Sequence, residues 1–105
     1  MDKSEALNIA QKYAEVVNDR FSLVRVILFG SFAKGNFHDD SDIDIAVILH
    51  DYNNLLDIQL ELMRLRRKID SRIEPHPFRE EEFNLSNPLV HEIMKYGQEV
   101  ICNVA

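Results

Sequence analysis

A single cysteine, Cys102, means that the chain cannot close an internal disulfide. With no secretory leader at its start, that scarcity points to a reducing, cytoplasmic setting. No apolar run approaches the roughly 20 residues that a membrane-spanning helix needs, so no membrane role is expected. Positive charge is also short: 12 Lys and Arg against 18 Asp and Glu give a formal net charge of −6. Stable nucleic-acid binding needs a basic face that displaces phosphate counterions, and it is therefore not expected. A nucleotide ligand stays open, because a metal ion can carry the positive charge. No repeat, linker or low-complexity stretch interrupts the chain.

What is there is an ordinary globular composition, 46% hydrophobic over 105 residues, which fits one domain spanning residues 1–105. At this size only about two-thirds of the surface is buried on folding, so a partner subunit, the same chain or another, can matter for stability.

Ala6, Leu7, Ala10, Ala14 and Val17 recur at three- and four-residue spacing, which predicts a helix over residues 4–18 capped by Ser4 or Asp2. Leu23–Phe29 is short, β-branched and nearly all apolar, as in a strand buried on both faces, and Gly30 stops it. A polar loop, Phe37–Asp40, leads to a second strand, Asp42–Leu49, followed by a turn over His50–Asn53. Leu55, Ile58, Leu62, Leu65 and Ile69 predict a helix over residues 54–69. Arg64, Arg66, Arg67 and Lys68 crowd its end, where cations complement the helix dipole or meet phosphates or an acidic partner. Pro75 and Pro77 exclude a helix and remove ladder donors, so Ser71–Phe78 is expected as a short strand at or near a sheet edge. Glu80–Glu82 reads as an acidic loop or helical turn. Ser86 or Asn87 caps a helix opened by Pro88, with Leu89, Ile93 and Tyr96 on one face and Gly97 as its stop. Glu99–Cys102 closes the chain as a strand. The order predicts an α/β (α+β) fold, a small mixed sheet of about four strands flanked by helices.

Chemistry concentrates between Leu28 and Val47. Asp42 and Asp44 sit two apart on a strand, so both carboxylates share a face while Ile43, Ile45 and Val47 turn to the core. Gly30 and Gly35 have the glycine spacing of a P-loop, but Asn36 and Phe37 stand where its Lys and Ser or Thr belong. Asp40–Asp44 begins like a calcium loop, yet Ile45 occupies the glycine position and Asp51 the glutamate position. The dinucleotide fingerprint of three spaced glycines is absent. His50 and His91 have no visible partner, and no His/Cys spacing suggests zinc. Tyr13, Tyr52 and Tyr96 read as packing or surface residues.

The remaining pattern, Gly30-Ser31-Phe32-Ala33-Lys34-Gly35 with Ser41-Asp42-Ile43-Asp44-Ile45-Ala46-Val47, resembles the signature of the nucleotidyltransferase superfamily typified by DNA polymerase beta. The chain length matches its minimal nucleotidyltransferase branch. Such a site needs two metal ions about 3.5–4 Å apart to stabilise the attacking and leaving oxygens. Magnesium prefers a few carboxylates plus phosphates and water, which Asp42 and Asp44 can supply. Gly30 allows close approach to a phosphate, and Ser31 with the following N–H groups can hold the β- and γ-phosphates of ATP or another NTP. Lys34 adds a cation, in a place where the family often has Arg. The resemblance further implies a third acidic residue, best matched by Glu74, which would share a metal and accept the acceptor's proton. Asp70 is its competitor, at a helix boundary. His76 shares the face of Glu74, with a structural reading and a site reading equally open; His38, Asp39 and Asp40 read as solvated loop residues.

Relatives of this kind are commonly paired with a HEPN-domain protein. The resemblance therefore implies an antitoxin that places AMP on a tyrosine of a HEPN toxin. Two other readings remain: a non-catalytic module that masks its partner, and transfer to a small molecule such as an aminoglycoside.

Overall fold

The structure, a computed structural model, describes residues 1–100. Helix α1 (Lys3–Arg20) is capped by Asp2, whose carboxylate accepts the Glu5 N–H at 2.9 Å. There follow β1 (Leu23–Phe29), a four-residue helix α2 (Ser31–Lys34), β2 (Ile43–Leu49) and α3 (Leu55–Leu65). The chain continues through β3 (Ile73–Arg79), α4 (Pro88–Tyr96) and β4 (Gln98–Val100), with single 3₁₀ turns at Arg66–Lys68 and Glu80–Glu82. Among the described residues no helix is long and apolar enough to cross a membrane.

The sheet has four strands in the order β3-β2-β1-β4. β1 runs antiparallel to β2 and β4, whereas β2 and β3 are parallel and joined by α3 as the crossover. The expected mixed sheet flanked by helices is what forms. Its final strand was expected over Glu99–Cys102; it forms one residue earlier, and residues 101 and 102 lie outside the described part.

Strand parity divides the core in two. Ile43, Ile45, Val47 and Leu49 of β2, with Val26 and Leu28 of β1, pack beneath α1 and α3. Ile27, Phe29, Ala46, Ile48 and Phe78 face the other way, against Val90 and Ile93 of α4. Two-sided burial explains the near-continuous apolar sequences of β1 and β2. It does not reach the start of β1, where Val24 is 39% exposed.

Five local departures from the sequence pattern appear. The stretch from Gly30 to Gly35 forms a helical turn, too short to show a period in sequence. Phe37 belongs to the core edge: its ring stacks on Phe32 with centroids 4.7 Å apart. Helix α3 gives way after Leu65 to the 3₁₀ turn Arg66–Lys68 instead of running to residue 69, and the Arg66 carbonyl accepts both the Ile69 and the Asp70 N–H, at 3.0 and 2.8 Å. Its buried stripe starts at Ile58, with Leu55 and Leu56 left in solvent. On α4 the buried pair is Val90 and Ile93, whereas Leu89 and Tyr96 are exposed. Ile93 belongs to both candidate stripes, so only packing on Ile27 and Phe29 decides the rotation.

The edge strand β3 is blunted against further pairing. The Ile43 N–H bonds the Arg72 carbonyl at 2.9 Å, so even-numbered residues of β3 point their backbone groups at β2. The outward positions fall on Pro75 and Pro77, which have no N–H. The outward carbonyls of Ile73 and Pro75 are taken by the Arg66 guanidinium at 2.9 Å and the Gln59 amide at 3.1 Å.

Between α1 and α3, the fully buried Tyr13 hydroxyl donates to the Leu62 carbonyl at 2.7 Å. Burial pushes the Tyr13 phenol pKa well up, and Arg66 opposes that shift. Tyr13→Phe is expected to cost about 1 kcal/mol. The midpoint of thermal unfolding should then fall by roughly 4–8 °C. An unchanged midpoint would remove this bond from the account of α1–α3 packing.

Candidate active site

The site starts from the turn after β1. Gly30 has φ 73° and ψ −152°, a conformation open only to glycine. A Cβ there would also collide with Oδ2 of Asp44. The chain can therefore turn directly against this carboxylate. Ser31 begins α2, whose first N–H groups have no acceptor within the helix. The Lys34 N–H bonds the Gly30 carbonyl at 3.1 Å, and the Gly35 N–H bonds that of Ser31 at 2.9 Å. Gly35, at φ 85°, ends the turn.

Ser41, the only buried polar residue among those described, pins the loop that follows. Its hydroxyl accepts the His38 N–H at 2.9 Å, while its own N–H bonds the His38 carbonyl at 2.9 Å. Burial then alternates: Ser41 buried, Asp42 exposed, Ile43 buried, Asp44 half-buried. This parity sends the Asp42 and Asp44 side chains to the same side. Asp42 lies just ahead of β2, which begins at Ile43 instead of the expected Asp42.

In register, Asp44 pairs with Phe29 on β1 and with Glu74 on β3. Neighbouring strands lie about 4.8 Å apart, so Asp44 and Glu74 stand side by side on the α4 face of the sheet. His76, two residues on, reaches back: its Nε2 is 3.1 Å from Oδ1 of Asp44. The ring meets Phe29 edge-to-face, with centroids 4.9 Å apart. A carboxylate oxygen accepts, so a hydrogen bond at this contact requires the hydrogen on Nε2. That contact places the His76 ring against Asp44, on the face of the sheet that also carries Glu74.

The Lys34 ammonium points elsewhere. It lies 2.5 Å from Glu92 and 5.0 Å from the centre of the Tyr96 ring, both on α4. Glu92 holds the Lys34 pKa above its ordinary value. Asp70, the competitor for the third acidic position, caps a tight turn: it accepts the Arg72 N–H at 2.8 Å and its guanidinium at 2.7 Å. Arg72 holds the Asp70 carboxyl below the usual range. His38 and the exposed Asp39 and Asp40 stay in the loop. Ser41 and the His76–Asp44 pair are the features that sequence reasoning did not assign. For Ser41 a signal existed, a small polar residue at a core-facing parity directly before a strand.

Among the described residues, no three His, Cys, Asp or Glu side chains come close enough to hold a metal by themselves. Asp44 and Glu74 are gathered, and Asp42 stands at the open rim. This donor set suits a magnesium ion, which takes one or two carboxylates and fills its sphere with substrate phosphates and water.

The sequence profile of the family described as "Polymerase beta, Nucleotidyltransferase" matches residues 11–104. MJ0141 of Methanocaldococcus jannaschii, provisionally named a protein adenylyltransferase, is 31% identical over 81 residues, 74% of this chain and 79% of that protein. A solved structure from Sulfolobus solfataricus, provisionally described as a nucleotidyltransferase, superposes with a TM-score of 0.66 at 25% identity, over 92% of this chain and 80% of that one. The fold is also shared by a chain of the solved complex of a tri-AMPylated Shewanella oneidensis HEPN toxin with MNT antitoxin. There the TM-score is 0.63 at 22% identity, over 96% of this chain and 73% of that one.

Two predictions follow from the turn residues. Gly30→Ala meets both the backbone penalty and the Asp44 carboxylate and should cost about 2 kcal/mol or more. Gly35→Ala meets only the left-handed penalty, with open space around it, and should cost about 1 kcal/mol. Urea denaturation midpoints give the ranking; equal losses would remove the Asp44 clash. For Asp70 the depressed pKa means stability that is fully present above its unfolded value, about 3.9, and lost as pH falls through the folded value. The gap in melting temperature between wild type and Asp70→Asn should therefore shrink as pH drops from 5 to 3, and a constant gap would exclude this linkage.

Proposed function

The chain belongs to the polymerase beta nucleotidyltransferase family and is a nucleotidyltransferase; on that premise we propose that it transfers AMP from ATP to a protein. The acceptor on this reading is a tyrosine of a HEPN-class toxin, with this chain as the antitoxin. The observation that carries the proposal is the Asp44 carboxylate, side by side with Glu74 and pressed against the glycine that opens the Ser31 turn. A phosphate brought to that turn would need a cation between it and the carboxylates.

The side of Gly30 where a Cβ would stand is taken by Asp44, so the triphosphate would approach the turn through the backbone that follows Gly30. Ser31 and the first N–H groups of α2 then hold its β- and γ-phosphates. Asp42, Asp44 and Glu74 would hold the magnesium, two ions on this reading. Held by these residues, the metal would supply positive charge for the attacking and leaving oxygens. The acceptor oxygen forms a bond to the α-phosphorus, the bond to pyrophosphate breaks, and the hydroxyl proton passes to the Glu74 carboxylate. Lys34 reaches the phosphates only by leaving Glu92, exchanging one anion for another. The relatives' description as protein adenylyltransferase and the AMPylated state of the HEPN toxin in the Shewanella complex support a protein acceptor.

The test supplies α-labelled ATP and Mg²⁺ to the purified chain with its co-purified partner. Label is expected on a partner tyrosine, with a mass gain of whole nucleotide units. Glu74→Gln should lower the turnover roughly 10²- to 10⁴-fold. Asp42→Asn/Asp44→Asn should abolish transfer, and undiminished labelling by that double variant would sink the assignment. A partner bound but never labelled would favour masking without chemistry.

A further inference from the structure

An aspartate has two equivalent oxygens, and rotation about its last torsion exchanges them at little cost. At Asp44 they are not equivalent. Oδ1 faces Nε2 of His76 at 3.1 Å, whereas Oδ2 lies over Gly30, where a Cβ would strike it. His76 is itself held in place. Its ring edge packs on Phe29, and its strand is kept at the sheet edge by the flanking Pro75 and Pro77. Directly across from it on β2 stands Ala46, fully buried, whose methyl leaves the imidazole room to lean toward Asp44. Phe29, Asp44 and His76 thus form one contact row over three neighbouring strands.

We propose that His76 is a positioning residue: its Nε2–H holds Oδ1 of Asp44, so that Oδ2 is the oxygen presented over the Gly30 turn to the metal–nucleotide. The inference rests on the metal-dependent reading above. Hydrogen-bond partners behind a ligating carboxylate fix its orientation, and losing one typically costs about 10- to 100-fold in metal affinity. The bond also consumes the oxygen that would otherwise compete for the ion.

Two measurements test this. First, ¹⁵N NMR of the unaltered chain should show His76 with its hydrogen on Nε2; a neutral ring with the hydrogen on Nδ1 overturns the proposal. Second, Mn²⁺ binding in the presence of a non-hydrolysable ATP analogue is followed by electron paramagnetic resonance. His76→Leu should weaken it roughly 10- to 100-fold. His76→Gln, whose amide can still donate, should stay within about threefold of wild type. Wild-type Mn²⁺ affinity in His76→Leu, with binding lost in Asp44→Asn, overturns the role of His76 and leaves the metal site standing. Unchanged affinity in Asp44→Asn as well overturns both. Thermal melts accompany each variant, and if His76→Leu does not fold, the NMR measurement decides alone.

Discussion

Close approach between Gly30 and Asp44 is the constraint on which the rest of the site depends. β1 must leave the sheet where the β2 carboxylate stands, and only a residue without Cβ can turn there. The pairing of Phe29 with Asp44 enforces this meeting. A slip of one residue would carry Asp44 into the core under α1 and α3 and expel Ile43 and Ile45. Burying an unpaired carboxylate costs several kcal/mol, so the apolar pattern of β2 guards the register on which the site is built.

The two faces of the sheet serve different ends. Under α1 and α3 lies the larger cluster, with Tyr13 bonding one helix to the other across it. The opposite face is covered by the short α4 only around Ile27, Ala46, Ile48 and Phe78, leaving Asp44, Glu74 and His76 half-buried. Half-burial keeps these carboxylates oriented without the cost of full desolvation. Lys34 bonds the Ser31 turn to α4 through Glu92 and Tyr96, so the cover of this face and the turn at its rim hold each other. Placing Glu74 and His76 on an edge strand exposes that edge to pairing. Pro75, Pro77, Arg66 and Gln59 close it.

Much of the fold was legible. β1 and β2 stood out as short β-branched runs and β3 by its prolines, and the limits of these three strands shifted by at most two residues. Asn87, one of two candidate caps with Ser86, marked the start of α4 through a side-chain bond made within one turn, whereas the Asn54 cap of α3 emerged only in the structure. Helix α2 was hidden because four residues carry no period. The buried face of α4 was ambiguous because Ile93 belongs to two stripes, and the choice lies in Ile27 and Phe29, far earlier in the chain. Phe37 read as loop because one aromatic among polar neighbours shows no pattern, and its partner Phe32 sits across the turn. Lys34 stands beside the glycine turn in sequence, whereas its ion-pair partner Glu92, 58 residues on, is invisible to any window of sequence.

By itself the sequence determined what depends on near neighbours: the shared face of Asp42 and Asp44, the glycines at the turn, the proline-marked edge and the alternation that buries β2. These follow from strand parity and from backbone limits of single residues, which act over a few positions. Tertiary structure decided which groups surround Asp44. The parallel register of β3 on β2 is set by the crossover through α3, and it alone puts Glu74 beside Asp44 and lets His76, 32 residues away in sequence, take one of its oxygens. Register is a property of two strands and the connection between them, and no local pattern in either strand contains it.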